Sequence, residues 1–299
     1  MKETKYYEVA GHRFSVSGEE AVFTLMGEGF ANYEPFACAG GESLFALSIE
    51  SGEVPAYTEE LRQEDERLRV GERSSGMGQT IICGHTAAGE AVFEFLWWGV
   101  SAGWLVCTAD YSQGRLILTD KYTKMAIDNA LMVLFALATA DKGSVLFHAA
   151  VVSYEGKGYM FLGPSGTGKS THARLWLEHI EGSALVNDDN PVVRIGEDGS
   201  ATVYGSPWSG KTPCYRNVSF PLGGIVVLSQ APYNNIQRLS GIYAYVALVE
   251  SISGKRWDER IADGLHDTEN ELVSTVPIWH LECLPDEAAA RLCNDTIAP

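Results

Sequence analysis

Long apolar runs are missing from this 299-residue sequence. A helix that crosses a bilayer needs roughly 20 apolar residues, whereas the longest candidate run, residues 126–140, is shorter and contains Asp128. The first residues are charged and polar, unlike those of a signal peptide. The six cysteines form no C-x-x-C pair and no zinc-ligand spacing with histidine. We therefore expect a cytoplasmic protein with reduced thiols and no membrane partner.

Basic residues are scarce as well. The chain has 22 Lys and Arg against 39 Asp and Glu, which gives a formal net charge of −17 at pH 7. A surface of this sign repels the phosphates of DNA and RNA, so a nucleic-acid partner is not expected. Hydrophobic residues make up 45% of the chain, which is enough to fill the core of one large domain or two ordinary ones.

Residues 1–120 contain short runs that are rich in β-branched and aromatic residues and are separated by glycine. This pattern predicts an N-terminal domain built on an antiparallel sheet or sandwich. Residues 57–73 are dense in Glu and Arg, which is typical of a solvated surface helix or loop. The predicted strands are residues 13–16, 21–26, 44–49, 80–83, 91–97, 104–107 and 115–118.

Residues 121–299 mix helical and strand patterns, which predicts a second domain of the α/β class. Apolar residues at helical spacing over 122–140 predict a buried helix at its start. A strand at 145–152 is expected to turn through a hairpin into a second strand at 159–162. Further strands are predicted at residues 184–190, 201–204, 221–229 and 276–283, and further helices at 240–252 and 286–294.

The pattern G-x-x-x-x-G-K-S joins the predicted strand 159–162 to a helix-like segment. Glycines at these positions let successive backbone N–H groups converge on one anion, at the positive end of the helix dipole. Lys169 can then reach the β- and γ-phosphates while the Ser170 hydroxyl binds Mg²⁺. The bland alternative is a glycine turn between a strand and a helix. The predicted nucleotide-binding residues are Gly163, Pro164, Ser165, Gly166, Thr167, Gly168, Lys169, Ser170 and Thr171.

Two carboxylates, Asp188 and Asp189, end the predicted strand 184–190. Asp188 follows Lys169 by 19 residues, enough for one helix and one turn, so we expect a compact β-α-β unit that brings the acids beside the phosphates. Phosphoryl transfer needs one acid to hold Mg²⁺ and a second acceptor near the attacking hydroxyl. The alternative is an Asx-type turn before Pro191.

A second stretch, residues 205–212, also matches G-x-x-x-x-G-K-T. Pro213 follows it and no helical pattern comes next, so a second nucleotide site is not expected. Lys211 and Arg216 are candidates to stabilise charge on the γ-phosphate, and the alternative is a pair of solvated surface cations. His148, inside the predicted strand 145–152, is either a buried imidazole bonded to backbone or a member of the site.

Three features together resemble the kinase domain of HPr kinase/phosphorylase and its relatives, most strongly over residues 145–216. They are His148 followed by two alanines, the first glycine motif, and the sequence Val-Asn-Asp-Asp one helix later, here residues 186–189. These relatives share a nucleotide-binding fold with phosphoenolpyruvate carboxykinase. The resemblance implies an ATP-dependent kinase whose phosphate loop sits in a mainly antiparallel or mixed sheet, rather than in an all-parallel sheet.

The resemblance also implies roles for single residues. Lys169 and Ser170 match the phosphate-loop lysine and the metal-side hydroxyl, Asp188 matches the general base, and Asp189 matches the metal-linked acid, with His148 as the histidine next to it. The signature loop by which HPr kinase/phosphorylase recognises its protein partner is not found, nor are the manganese- and oxaloacetate-binding motifs of a carboxykinase. Relatives assemble into oligomers, so a homo-oligomer is a further expectation.

The function expected from the sequence is therefore transfer of the γ-phosphoryl group of Mg²⁺·ATP to a hydroxyl. The acceptor could be a serine of a protein or peptide, or a small molecule. One alternative is a regulatory or accessory protein that binds a nucleotide without transferring phosphate. The other is an enzyme of carboxylate metabolism that uses phosphoenolpyruvate, which the short chain and the missing motifs disfavour.

Overall fold

The computed structural model describes residues 2–25, 30–64, 78–210 and 212–298. The chain divides into two compact units, Met1–Ala138 and Thr139–Pro299. The predicted boundary near residue 120 lies earlier in the chain, and the long apolar helix goes with the first unit rather than opening the second. Both units are mixtures of helix and strand, each with one mixed sheet.

The first unit is an eight-stranded sheet with the order β1-β2-β3-β8-β7-β6-β5-β4. Its strands are β1 Lys2–Val9, β2 His12–Glu19, β3 Phe45–Glu50, β4 Tyr57–Glu64, β5 Gln79–Thr86, β6 Ala91–Trp97, β7 Val100–Cys107 and β8 Gln113–Leu118. Its helices are α1 Glu20–Leu25 and α2 Thr123–Thr139, with a 3₁₀ turn at Glu34–Phe36.

The prediction of an antiparallel N-terminal sheet is wrong at one strand. β3 runs parallel to both of its neighbours, β2 and β8, while the other pairs are antiparallel. Neither neighbour is joined to β3 by a tight hairpin, and long connections allow strands to pair in parallel. The sheet is therefore mixed.

Two local predictions in this unit are also wrong. Of the predicted strand 21–26, residues 21–25 lie in helix α1, because so short a run of mainly apolar residues does not distinguish the two periodicities. The charged segment predicted as a surface helix or loop contains strand β4, Tyr57–Glu64. β4 is the edge strand of the sheet, where charged side chains are common on both faces. The rest of that segment, residues 65–73, lies outside the described residues.

Helix α2 packs on the sheet of the first unit through aromatic contacts. Phe14 and Phe45 on neighbouring strands stack with their ring centroids 4.9 Å apart, and Phe135 meets both rings edge-on at 6.4 Å. Gly114 allows the helix to approach closely, because a Cβ there would lie 2.9 Å from Leu134 Cδ2. Such edge-to-face packing stabilises the core beyond the area that it buries.

The stretch Thr123–Lys142 is the one helix, within the part of the chain that the structure describes, that is long and apolar enough to cross a membrane. In its most apolar window 67% of the residues are buried within the protein. That degree of burial is typical of a core helix in a soluble protein.

The second unit is built on nine strands. They are β9 Ser144–Leu146, β10 Ala150–Tyr154, β11 Lys157–Leu162, β12 Ala184–Asn187, β13 Val192–Ile195, β14 Ala201–Tyr204, β15 Ser219–Gln230, β16 Asn235–Leu239 and β17 Ile278–Cys283. The helices are α3 Lys169–His179, α4 Gly241–Val249, α5 Glu259–Thr275 and α6 Glu287–Ile297, and Ala140–Lys142 form a 3₁₀ turn.

The long strand β15 belongs to two parts of this sheet. One part has the strand order β12-β10-β11-β15-β17-β16, and β15 begins in the other part, β15-β14-β13-β9. Helices α3 and α6 cover one face of the first part, where Trp176 and Cys293 are fully buried against β11, β15 and β17. The predicted mixed sheet in this unit is confirmed.

The predicted strand 145–152 is in fact two strands. β9 pairs with β13, whereas β10 pairs with β11 and β12, and residues 147–149 lie at the break between them. Phe147 N–H donates to Pro191 O at 3.0 Å and Ala149 N–H donates to Asp189 O at 2.9 Å, so the break follows the chain that leaves β12. His148 therefore sits at a strand break and not inside a strand.

Four strands of the second unit end at the same edge of the sheet. β11 and β12 are both antiparallel to β10, so they run in the same direction with β10 inserted between them. β15 is parallel to β11, and β17 is parallel to β15. The carboxyl ends of β11, β12, β15 and β17 and the start of β10 consequently share one edge, which we call the carboxyl edge.

Candidate functional site

The first loop, residues 163–168, joins β11 to α3 at the carboxyl edge. Gly163, Gly166 and Gly168 have φ angles of 144°, 84° and 111°, a region that side chains other than glycine rarely adopt. A Cβ on Gly163 would also lie 3.1 Å from Leu228 O, which is closer than most Cβ contacts in proteins. Pro164, Ser165 and Gly166 are exposed at the top of the loop.

Lys169 is the first residue of α3 and is only 7% exposed. Its Nζ donates hydrogen bonds to Gly163 O at 2.8 Å and to Pro164 O at 3.4 Å, so the side chain folds back along the loop. Gly168 is the N-cap residue and supplies no side chain to cap the helix. The first backbone N–H groups of α3, with the half-buried Ser170 and Thr171, therefore lie beside the loop.

The end of β15 supports the first loop from the side opposite to β12. Gln230 Nε2 donates to Gly166 O at 3.2 Å and lies 3.5 Å from Thr167 O. Thr167 Oγ1 in turn donates to Pro164 O at 2.6 Å. Sequence reasoning missed Gln230, because no pattern links it to a loop more than 60 residues earlier in the chain.

A buried histidine lies directly behind the loop. His172 is 3% exposed in the first turn of α3, and its Nε2 accepts a hydrogen bond from Trp176 Nε1 at 3.2 Å. Burial lowers the pKa of His172 to about 4 from its usual 6.5, so the ring is neutral at pH 7. This residue was not predicted, since a single histidine in a helix carries no distinctive pattern.

Asp188 and Asp189 follow β12 at the carboxyl edge, two strands away from the first loop. The turn that contains them is held by the fully buried Asn187, whose Oδ1 accepts from Asp189 N–H and Asn190 N–H at 2.8 Å each. The Asx-type turn expected as the alternative use of the aspartates is thus made by Asn187. This arrangement leaves both carboxylates for other contacts.

The two carboxylates differ in their surroundings. Asp188 is 5% exposed, and its Oδ2 accepts Thr212 N–H at 3.3 Å. Asp189 is more exposed, and its Oδ1 lies 3.2 Å from His148 Nε2 while its Oδ2 accepts from Asn190 Nδ2 at 3.0 Å. One acid is therefore covered, and the other faces a histidine.

His148 is held in place through its backbone. Its N–H donates to Ser251 O at 2.7 Å, and the next residue, Ala149, donates to Asp189 O at 2.9 Å. The half-buried ring lies beside the carboxylate of Asp189, and its membership of a functional site stays a prediction.

The second loop, residues 205–212, packs against the turn that carries the acids. Ser206 Oγ donates to Asn190 O at 2.6 Å and accepts from Asn187 Nδ2 at 3.1 Å. A Cβ on Gly210 would lie 3.1 Å from Asp189 Cβ. No helix follows this loop, as the sequence predicted.

Of the two basic residues predicted to stabilise charge on the γ-phosphate, only Arg216 is among the described residues. Lys211 lies outside the described residues. Arg216 is exposed, and its Nη1 donates to Leu185 O in β12, three residues before Asp188. Its guanidinium is therefore bound to backbone at the edge of the sheet, close to the acids along the chain.

A family model described as SynChlorMet cassette protein ScmC matches residues 115–283, which is more than half of the chain. The chain belongs to this family. Among curated proteins, none matches the chain. The description of the ScmC family names neither an activity nor a ligand, so the resemblance to HPr kinase/phosphorylase stays a prediction.

The part of this ScmC family member that the model matches contains every residue of the candidate site. Its carboxyl edge combines a glycine loop at the start of a helix, a buried lysine, two carboxylates and a histidine. No group of three or more His, Cys, Asp or Glu side chains converges as a metal site within the described residues.

Proposed function

We propose that this ScmC family protein is a kinase that transfers the γ-phosphoryl group of Mg²⁺·ATP to a hydroxyl. One observation carries the proposal. The first loop, which begins a helix without a side-chain cap, and the pair Asp188 and Asp189 lie at the same edge of one sheet. Phosphoryl transfer requires donors for the phosphates and acids for the metal and the acceptor, and both kinds of group are present at this edge.

The first loop has the chemistry needed to hold phosphates. Its positive-φ glycines and the first turn of α3 offer backbone N–H groups, which suit an anion at a helix N-terminus. Lys169 donates to two carbonyl oxygens of the loop, and phosphate oxygens would replace these acceptors. The proposed nucleotide-binding residues remain those of the motif, 163–171.

A magnesium ion bound with ATP fits the residues that are present. Mg²⁺ is usually held by one or two protein oxygens, with phosphate oxygens and water completing its octahedron. Ser170 is one proposed protein ligand, and Asp189, which follows β12 two strands away from the first loop, would hold the ion directly or through water. His148, 3.2 Å from Asp189, would orient that carboxylate.

Asp188 is the proposed general base. The acceptor oxygen forms a bond to the γ-phosphorus, the bond to the β–γ bridging oxygen breaks, ADP leaves, and the proton of the hydroxyl goes to Asp188. Lys211 or Arg216 would stabilise the charge that develops on the transferred group. Arg216 must leave Leu185 O for this purpose, whereas Lys211 follows Gly210, which packs on Asp189.

The acceptor stays open between a serine of a protein or peptide and a small molecule. The family description does not narrow this choice. We further propose a cytoplasmic location, where ATP is plentiful and where the six free cysteines would stay reduced. Assembly into a homo-oligomer is a proposal that rests on the resemblance alone.

A second candidate function is binding of a nucleotide without phosphoryl transfer, as in a regulatory or accessory protein. The observation that favours it is the burial of Asp188, which is 5% exposed beneath the second loop. A general base must come within hydrogen-bond distance of the acceptor. Catalysis would therefore require the chain around Thr212 to move.

Calorimetric titration of Mg²⁺·ATP, followed by a search for an acceptor with ATP labelled in the γ-phosphate, tests the proposal. The wild type should bind the nucleotide, Lys169→Ala should bind it much more weakly, and label should appear in an acceptor. Circular dichroism of each variant checks that it is folded. Binding without transfer to any protein, peptide or small-molecule acceptor would favour the second candidate. A folded wild type that binds no nucleotide would overturn both.

A further inference from the structure

An exposed aromatic side chain lies in the turn that follows β15, the strand on the opposite side of the first loop from the carboxylates. Tyr233 is in the turn between β15 and β16 and is 51% exposed. The turn starts immediately after Gln230, the residue that donates to Gly166 O. Three residues of chain span at most about 10 Å, so the Cα of Tyr233 lies within about that distance of the Cα of Gln230.

The turn is held firmly, and so is the aromatic ring. Tyr233 OH donates to Glu282 Oε1 at 3.0 Å. Asn234 Oδ1 accepts from Leu284 N–H at 2.8 Å, and Asn234 Nδ2 donates to Asp286 Oδ1 at 3.0 Å. Ala231 N–H also donates to Cys283 O at 3.1 Å. An exposed ring that is already fixed loses little conformational freedom when a ligand stacks on it.

The order of the strands suggests how a bound nucleotide would be oriented along the carboxyl edge. β12, which carries Asp188 and Asp189, lies on one side of β11 and the first loop, whereas β15 lies on the other. If the γ-phosphate points to the acids, the nucleoside end points to β15 and to the turn after it. Tyr233 has the first aromatic ring in the chain after Gln230.

We infer that Tyr233 is the stacking surface for the base of the bound nucleotide, and that the turn 231–234 is a nucleoside subsite. This inference rests on the proposed kinase function, since it takes the position of the phosphates from the first loop. The ligand class is a purine nucleoside triphosphate. Stacking accepts any purine, so Tyr233 contributes affinity for the base, and discrimination between ATP and GTP would depend on other groups.

The test compares Mg²⁺·ATP with magnesium tripolyphosphate, which has the phosphates but no base. Calorimetry is done on the wild type, Tyr233→Ala, Tyr233→Phe and the control Tyr243→Ala, which removes a ring that is 75% exposed on α4. Tyr233→Ala should weaken ATP by about 5- to 100-fold, the range expected for one stacked base, and should leave tripolyphosphate unchanged. Tyr233→Phe keeps the ring and should bind ATP within a few-fold of wild type.

The outcomes separate this inference from the proposed function. Two results would overturn the nucleoside subsite alone, provided that the wild type binds both ligands. In the first, Tyr233→Ala binds ATP as tightly as the wild type does; in the second, it loses affinity for ATP and for tripolyphosphate equally. An equal loss in Tyr243→Ala does the same. A wild type that binds neither ligand overturns the kinase proposal and this inference together.

Discussion

Two loops of this protein fit the same pattern of glycine, lysine and hydroxyl residues, yet they have different structures. The first, residues 163–168, leads into an 11-residue helix and keeps three glycines at positive φ. The second, residues 205–212, is followed by irregular chain and holds the buried Ser206 and Trp208 against the acidic turn. A phosphate loop needs the helix as much as the glycines, because the helix supplies the converging N–H groups.

The second loop therefore supports the acids rather than duplicating the first loop. Ser206 and Asn187 connect it to the turn that carries Asp188 and Asp189, and Thr212 N–H donates to Asp188. If the kinase proposal is right, changes in the first loop should act mainly on nucleotide binding. Changes in the second loop and beneath it should act mainly on turnover and stability.

The largest expected effect is that of Asp188→Asn beneath the second loop. Loss of a general base should reduce turnover by roughly 10²- to 10⁴-fold, because no carboxylate remains to take the proton of the attacking hydroxyl. Affinity for Mg²⁺·ATP, measured by calorimetry, should stay within a few-fold of wild type. Asp263→Asn on the exposed side of α5 is a matched control and should keep wild-type turnover. Normal turnover in Asp188→Asn would remove it from the mechanism.

His172→Gln tests the helix that distinguishes the first loop. Between pH 6.5 and about 4 the unfolded chain binds a proton at His172 while the folded protein does not, so stability falls as the pH falls. The variant lacks this titration, and its amide oxygen can still accept from Trp176 Nε1. By pH 4 the wild type should have lost about 3 kcal/mol more than the variant, relative to pH 8.

Urea denaturation at several pH values measures this difference. Between pH 8 and 9 the difference in free energy of unfolding between the two proteins should be constant, because His172 is neutral in both the folded and the unfolded chain. This range serves as the control. If the free energies of unfolding of the two proteins fall in parallel from pH 8 to pH 4, the buried ring of His172 does not control the stability of the protein in acid.

The pair Lys169→Ala and Lys211→Ala compares the two loops directly. Loss of charge-assisted hydrogen bonds, each about 1.5–3 kcal/mol, should weaken Mg²⁺·ATP by at least 10-fold in Lys169→Ala. Lys211→Ala should change the affinity by less than about 3-fold while lowering turnover. Calorimetry and labelled-phosphate transfer are the two measurements. The comparison breaks down if both variants lose nucleotide binding equally.

The smallest effects are expected for two glycine substitutions, one in each loop. The variant that loses more stability should not be the one that loses more nucleotide affinity. A Cβ on Gly205 would meet Arg216 O, so Gly205→Ala should destabilise the protein by about 1–3 kcal/mol through overpacking. Gly166→Ala faces open space but has a φ of 84°, which costs about 1–2 kcal/mol. Denaturation should rank Gly205→Ala as the less stable, and calorimetry should rank Gly166→Ala as the weaker nucleotide binder.

Local patterns in the sequence predicted the elements around the candidate site well. The strand before the first loop, the helix after it and the hairpin at Tyr154 and Lys157 are all present. Asp188 and Asp189 were placed correctly at the end of a strand. These features depend on backbone preferences of neighbouring residues, in particular on the glycines and on the hairpin residues Glu155 and Gly156, which have positive φ.

Contacts between distant residues were beyond such patterns. The parallel pairing of β3, the insertion of β10 between β11 and β12, and the support of the loop by Gln230 join segments far apart in the chain. The strand break at His148 has the same origin, because Ser251 and Asp189, which bond to it or to its neighbour, come much later in the sequence.

The sequence by itself determined which residues are candidates for the proposed chemistry. Lys169 and Ser170 were identified by their spacing after the glycines, and the two aspartates by their position after a buried strand. Only the tertiary structure decided how they are arranged, with Asp188 covered, Asp189 facing His148, and Arg216 bound to a backbone carbonyl. The reason is physical. Turns and helix starts are chosen by the local backbone, whereas the burial and hydrogen-bond partners of a side chain depend on which distant strands the sheet brings to one edge.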